Sequence, residues 1–208
     1  MTAKIISGTQ VAAEIRQELK ERVGKLKTKG VTPALAVVLV GDDPASISYV
    51  TAKARGAEEI GMHEETIRLP ANTPEQEVLK TVDRLNKDSR FHGVLVQLPL
   101  PKHVSTEKVI NYISPEKDVD AFHPVNVGKL LRGEPCPLPC TPHGVQQLLV
   151  RSGYDPDGKH VVICGRSNIV GKPLAGILMQ KKKGANATVT VCHTGTKDIG
   201  YFSRQADI

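Results

Sequence analysis

Residues Ala34–Val40 read ALAVVLV, seven consecutive apolar positions rich in β-branched side chains, and this run narrows the possible folds more than any other stretch. A strand with no polar alternation must be covered on both faces, which is the condition of a central strand in a parallel sheet. Gly41-Asp42-Asp43-Pro44 stops the run, and from Ser46 to about Ile60 the apolar period becomes helical, with Gly61 as the stop signal. Tyr49 and Lys53, four residues apart, then project from one face near the helix N-terminus. That face lies at the carboxyl end of the strand, where open α/β sheets build their sites. An exposed helix face carrying an ordinary polar pair would show the same spacing.

The flanking segments repeat the alternation. Residues 9–27 are expected to form an amphipathic helix with Val11, Ile15, Leu19, Val23 and Leu26 on one stripe. Residues 63–69 form a second, more polar strand. Thr73-Pro74-Glu75-Gln76 reads as a capping box with Pro74 at the first helical position, and Val78, Leu79, Val82 and Leu85 carry that helix's apolar face. Residues 93–98, GVLVQL, supply a third strand, so the order βαβαβ implies right-handed crossovers and a parallel sheet. This strand ends in Gln97-Leu98-Pro99-Leu100-Pro101, where the prolines forbid further ladder bonds and leave Gln97 on the same rim as Tyr49 and Lys53. Ser105 caps a short helix ending near Ile113. The following loop, with Asp118, Asp120 and His123, suits a solvated surface as well as a site.

In the second half Thr141 is expected to cap, and Pro142 to open, a helix carrying Val145, Leu148 and Leu149 and ended by Gly153. The prolines and Gly133 between Leu131 and Pro142 mark the expected boundary between domains 1–140 and 141–208. Residues 159–164, KHVVIC, form a strand that runs straight into Gly165-Arg166-Ser167-Asn168-Ile169-Val170-Gly171, which opens a helix reaching about Lys182. A glycine turn between strand and helix that aims amides at an anion is the dinucleotide-binding arrangement, although G-x5-G departs from G-x-G-x-x-G. A phosphate-binding P-loop is excluded by spacing and by Pro173 in place of Ser or Thr. After a further strand at 187–192 there is no acid to bind the ribose hydroxyls of NAD. Arg166, His193, Thr194 and Lys197 offer cations and donors instead, which favours the 2′-phosphate of NADP.

Composition closes off other classes. With 39% hydrophobic and 24% charged residues the chain is an ordinary globular protein, with no run long enough to span a membrane and no apolar signal-peptide core at its start. A cytoplasmic location is therefore expected. Cys136, Cys140, Cys164 and Cys192 lack framework spacing and read as reduced thiols, with Cys164 and Cys192 acting as small hydrophobes in strands. Cys136-x3-Cys140-x2-His143 lacks a fourth ligand, so no metal is expected. The net charge of +6 calls for an acidic partner. Four Tyr, three Phe and no Trp furnish few stacking platforms, so a small anionic substrate or a phosphate-bearing cofactor suits the charge better than nucleic acid.

Four strings occur together and in order: Tyr49-x3-Lys53, Val96-Gln97-Leu98-Pro99-Leu100-Pro101, Pro115-Glu116-Lys117-Asp118-Val119-Asp120, and Gly165-Arg166-Ser167-Asn168-Ile169-Val170-Gly171-Lys172-Pro173. Together they resemble the bifunctional methylenetetrahydrofolate dehydrogenase/methenyltetrahydrofolate cyclohydrolase family of the bacterial FolD type, over essentially the whole chain. The resemblance implies an α/β protein of two domains: an N-terminal parallel βαβαβ folate-binding catalytic domain and a C-terminal Rossmann domain for NADP. It implies oxidation of 5,10-methylenetetrahydrofolate to the methenyl form and hydrolysis of that form to 10-formyltetrahydrofolate. Lys53 would be the catalytic amine, Tyr49 the ring packed on the folate, Gln97 the partner that orients the amine, and Asp120 the carboxylate that binds the pterin; Leu98 and Pro99 would complete the folate contacts. Thr141, Gly165, Arg166, Ser167, Ile169, Gly171, His193 and Thr194 would meet the cofactor. The resemblance further implies a homodimer serving one-carbon metabolism, and with it purine and amino-acid biosynthesis.

Two departures accompany it. The family usually carries glycine after the pterin-binding aspartate, where this chain has Ala121. Family members also continue past the position of Ile208, so the cofactor domain is expected to be truncated and its activity as it stands is open. A non-catalytic remnant that binds folate or a protein, and a basic nucleic-acid-binding module, are the alternative readings.

Overall fold

The ALAVVLV run forms β1 (Ala34–Val40), the centre of a three-stranded parallel sheet in which it lies between β2 (His63–Leu69) and β3 (Gly93–Val96). Val37 pairs with Thr66 on one side and Leu95 on the other. The computed structural model that shows this describes residues 4–208. Ala34, Ala36, Val38 and Val40 pack into one apolar cluster with Val78, Val82, Leu85 and Val109, while Val37 and Leu39 pack with Val50 and Leu95. Both faces of β1 are thus covered, which is why its sequence shows no alternation.

Contacts divide the chain into two units, one of Ala12–Val119 and one of residues up to Val11 together with Asp120–Ile208. α1 (Gly8–Lys27) buries Val11 and Val23 of the expected stripe, but Leu26 stays 40% exposed. α2 (Pro44–Ile60) begins two residues before Ser46, because the Asp43 side chain accepts the Ser46 amide at 2.7 Å and Pro44 supplies the first turn. It closes on Gly61 at φ 81°.

α3 (Glu75–Lys87) corrects the capping-box reading. Pro74 is itself the cap, without a side-chain hydrogen bond, and the Glu75 carboxylate is engaged elsewhere: it accepts from the Ser105 amide at 2.7 Å and from Lys108 Nζ at 2.8 Å. Ser105 caps α4 (Thr106–Tyr112) as expected, accepting the Lys108 amide.

In the other unit, α5 (Pro124–Arg132) is a helix that none of the expected elements covers. His123 accepts the Val125 amide on Nδ1, Pro124 starts the helix, and Gly133 ends it at φ 72°. α6 (Cys140–Arg151) is capped by Pro139, so Thr141 lies inside its first turn rather than at the cap. β4 (His160–Cys164) and β5 (Thr188–Cys192) run parallel, each starting one residue later than expected. α7 (Gly171–Leu178) stops short of Lys182, since the Gln180 side chain turns back to donate to Gly176 O and Leu130 O, each at 2.8 Å. α8 (Ile199–Ser203), also unforeseen, is capped by Asp198.

Cys192 is buried as expected, whereas Cys164, at the open end of β4, is exposed. The chain then returns alongside β4: Asp207 N donates to His160 O at 2.9 Å and Val162 N to Ile208 O at 2.9 Å. His160 also donates its amide to Asp207 Oδ2, and its ring contacts Gln205 O and Thr190 Oγ1. Ile208 packs against the cluster of Val161, Ile163, Leu174 and Leu178. None of the described helices is long and apolar enough to cross a membrane.

Candidate active site and cofactor cleft

At the carboxyl edge of the three-stranded sheet, Lys53 Nζ donates to Gln97 Oε1 at 2.9 Å. The two residues come from different elements. Lys53 sits on α2, whose start is set by Asp43; its carboxyl is held below the usual carboxylate range by the hydrogen bonds of Ser46. Gln97 follows β3 directly, and its amide N–H extends the ladder to Val38 O at 2.9 Å. The Gln97 Nε2 in turn donates to Leu98 O at 2.6 Å. One side-chain amide therefore ties the amine to the backbone that leaves the sheet. Tyr49, one turn earlier on α2, is 65% exposed and presents its ring on the face that carries Lys53. Pro99 is exposed and Leu98 half-buried.

The stretch leading to Asp120 is fastened by a residue the sequence reading passed over. Lys117 Nζ donates to Leu85 O at 3.0 Å and Asp88 O at 2.7 Å, taking up carbonyls at the C-terminal end of α3. Lys117 O accepts the Val94 amide at 2.7 Å, and Asp118 bridges to Val94 while only 2% exposed. The signal available in sequence was a lone basic residue among acids, which spacing cannot connect to a helix end 29 residues away. Asp120 is grouped with the other unit. Ala121, next in the chain, does adopt positive φ, at 55°, with its methyl group buried to 1% exposure. A left-handed alanine costs about 1 kcal/mol relative to glycine, so the backbone beside Asp120 is held under modest strain by its surroundings.

The glycine loop after β4 is built on a close approach. Gly165 has φ 147° and donates its amide to Cys192 O at 2.8 Å. A β-carbon at Gly171 would collide with the Gly165 carbonyl, which explains the second glycine of G-x5-G. Ser167 Oγ accepts the Val170 and Gly171 amides at 3.1 and 3.3 Å, so these two donors shape the loop itself. Ile169 is 43% exposed, and Thr141 is exposed in the first turn of α6.

Beyond the end of β5 lies a cleft of about 610 Å³ lined by Thr190, Cys192, His193, Lys197, Asp198 and Tyr201. Gly195 N–H donates to His193 Nδ1 at 3.0 Å, which fixes the orientation of the ring. The Arg166 Nη1 lies 3.3 Å from His193 Nε2. Guanidinium and imidazole are thus in direct contact at one exposed corner of the loop, where the N–H groups of Arg166 left free by that contact can meet an anion. Asp198, the acid nearest β5, is engaged with the Tyr201 amide at 2.8 Å as the cap of α8. The residues present therefore fit a dinucleotide with an additional phosphate on its ribose. Among the described residues no group of three or more His, Cys, Asp or Glu side chains is arranged to hold a metal ion.

The sequence matches the catalytic-domain model of tetrahydrofolate dehydrogenase/cyclohydrolase over residues 6–120 and the NAD(P)-binding-domain model of the same enzymes over residues 139–208. The chain belongs to the tetrahydrofolate dehydrogenase/cyclohydrolase family. The bifunctional protein FolD of Dehalococcoides mccartyi strain CBDB1 is 57% identical over 209 residues, covering 100% of this chain and 71% of that protein. FolD of Moorella thermoacetica is 54% identical, covering 100% of the chain and 73% of the relative. Among solved structures, the bifunctional enzyme FolD from Campylobacter jejuni superposes with a TM-score of 0.93 at 46% identity, covering 98% of this chain and 71% of that one. The Trypanosoma brucei methylenetetrahydrofolate dehydrogenase-cyclohydrolase, complexed with NADP cofactor and inhibitor, has a TM-score of 0.91 at 38% identity, covering 100% and 71%. The two-domain α/β architecture with parallel sheets is that of the family.

Proposed function

We propose that this member of the tetrahydrofolate dehydrogenase/cyclohydrolase family oxidises 5,10-methylenetetrahydrofolate with NADP and hydrolyses the 5,10-methenyl product to 10-formyltetrahydrofolate. Its catalytic centre is Lys53. NADP, when bound, accepts the hydride lost from the methylene carbon. The observation that carries the assignment of the centre is the 2.9 Å Lys53–Gln97 hydrogen bond at the carboxyl edge of the sheet, with the exposed Tyr49 ring one turn away.

The chemistry follows from these groups. Hydrolysis requires water to attack a cationic methenyl carbon, then a proton to leave the adduct and another to reach the departing ring nitrogen. Lys53 moves those protons, and Gln97 Oε1 holds its amine in place. Tyr49 packs its ring on the folate, Leu98 and Pro99 line the same edge, and Asp120 accepts two hydrogen bonds from the amide and amine of the pterin. On the cofactor side, Gly165, Ser167, Ile169 and Gly171 shape the phosphate turn, Thr141 and Thr194 add hydroxyls, and Arg166 with His193 reads the 2′-phosphate. The work divides between residues 1–140 for folate and residues 141–208 for NADP. The enzyme acts in the cytoplasm as a homodimer, and its products feed purine and amino-acid biosynthesis.

The test is Lys53→Met, with hydrolysis followed as consumption of 5,10-methenyltetrahydrofolate. Loss of a proton-transfer group lowers the rate by about a hundredfold or more, and retention of more than about a tenth of the wild-type rate overturns the assignment.

A further inference from the structure

Between Gln97 and α4 the chain has no regular structure until Ser105, yet both ends of this stretch are fixed. At the near end Gln97 is bonded to Val38 O by its amide and to Leu98 O and Lys53 by its side chain. At the far end three ties converge on α3 and the residues before it. The Ser105 amide donates to Glu75 Oε2 at 2.7 Å, and Lys108 Nζ donates to Glu75 Oε1 at 2.8 Å. His103 Nε2 lies 2.9 Å from Thr73 O, a carbonyl to which it can only donate. Val104, 4% exposed, sits in the core cluster, and its amide closes a turn on Pro101 O at 2.9 Å.

The position of Glu75 makes these ties informative. An acid in the first turn of a helix ordinarily serves its own N-terminus. Here α3 has no side-chain cap, and both oxygens of Glu75 are turned to the start of another helix. The Lys108 ammonium, and after it the Ser105 amide, holds the Glu75 carboxyl below the usual carboxylate range, so the tie persists in mildly acidic solution. A local preference given up for a tertiary contact is the pattern found where a structure serves function.

We propose that Glu75 is a positioning residue for the folate edge: by holding Ser105 it sets the course of residues 98–104, keeps Leu98 O opposite Gln97 Nε2, and so keeps Gln97 Oε1 on Lys53. The inference rests on the reading that Lys53, Gln97, Leu98 and Pro99 meet the folate. Glu75 itself touches none of the reacting atoms.

Binding of tetrahydrofolate and of NADP by calorimetry, with amide exchange across residues 97–105, tests it on the wild-type chain, Glu75→Ala and Glu75→Gln. Glu75→Ala is expected to weaken tetrahydrofolate binding by about fivefold or more, leave NADP binding unchanged, and speed exchange at Val104 and Ser105. Glu75→Gln, which keeps an oxygen for the Ser105 amide, is expected to restore most of the affinity. Faster exchange with tetrahydrofolate affinity within about twofold of wild type overturns the proposal, as do equal losses for both ligands or equal losses in both variants. Gln97→Ala separates the two levels of inference. If tetrahydrofolate binding ignores both Gln97→Ala and Glu75→Ala, the reading of the site has failed; if it ignores Glu75→Ala alone, only the tether has.

Discussion

Arg166 and His193 show how one hydrogen bond settles the role of another group. Gly195 N–H reaches His193 Nδ1, and on its other side the ring meets the Arg166 guanidinium at 3.3 Å, so the imidazole steadies the cation at the cofactor edge. Arg166→Ala should therefore weaken NADP by about tenfold while leaving NAD within about twofold, as expected for the loss of one charge-assisted phosphate contact on an exposed side chain. Direct titration of both dinucleotides checks this, and equal losses would mean that Arg166 does not read the phosphate. His143 makes a second prediction at this scale. Burial, and secondarily the Lys182 ammonium, lowers its pKa below 6.5, so the folded protein favours the neutral ring. The unfolded chain then binds the extra proton more readily. The His143 contribution to stability is complete above about pH 6.5 and lost as pH falls through the lower, folded value. Thermal midpoints measured between pH 7.5 and pH 5 should fall less in His143→Gln than in the wild-type chain.

At the scale of elements, what could be read in advance depended on whether a signal was local. The runs of β1 and β3 were legible because a strand covered on both faces must be apolar throughout, and Gly61 marked the end of α2 because only a left-handed residue closes that turn. That Gln97 shares a rim with Lys53 was legible from topology, since parallel strands bring their carboxyl ends together, whereas its pairing with the amine followed only from the family resemblance. The capping box failed because the helix starts one residue later than the box requires, so that Pro74, which has no side-chain acceptor, takes the cap position in place of Thr73. Helix α5 was hidden by flanking prolines that read as a linker. Thr141 looked like a cap, but Pro139 already serves as one. The loop after β4 drew attention for its glycines, yet the reason for Gly171 is a carbonyl six residues back that pattern alone does not place. Gly171→Ala should force that loop apart, destabilise the unit by about 1–3 kcal/mol and reduce NADP affinity at least tenfold. Unchanged affinity in a dinucleotide titration would show that the loop can yield.

At the scale of the whole molecule the two units differ in how their sheets are enclosed. In one, β1 has a strand on each side and apolar cover on both faces. In the other, β5 has β4 on one side and, among the described residues, no strand on the other. Amides of Val37 to Leu39 should therefore exchange at the rate of global unfolding, and those of β5 faster through local opening. Equal protection of β1 and β5 in native-state hydrogen exchange would mean that another chain pairs with the outer side of β5. His160 bears on the same unit in a different way. It bonds β4 to β5 through its ring and to the returning segment through its amide, carbonyl and ring. Strand pairing by itself tolerates a shift of one residue, and such a shift would turn Ile208 from the apolar cluster to the opposite face. His160 works as a ratchet against that slip: three segments are indexed to one imidazole, so the returning chain can engage β4 in only one phase.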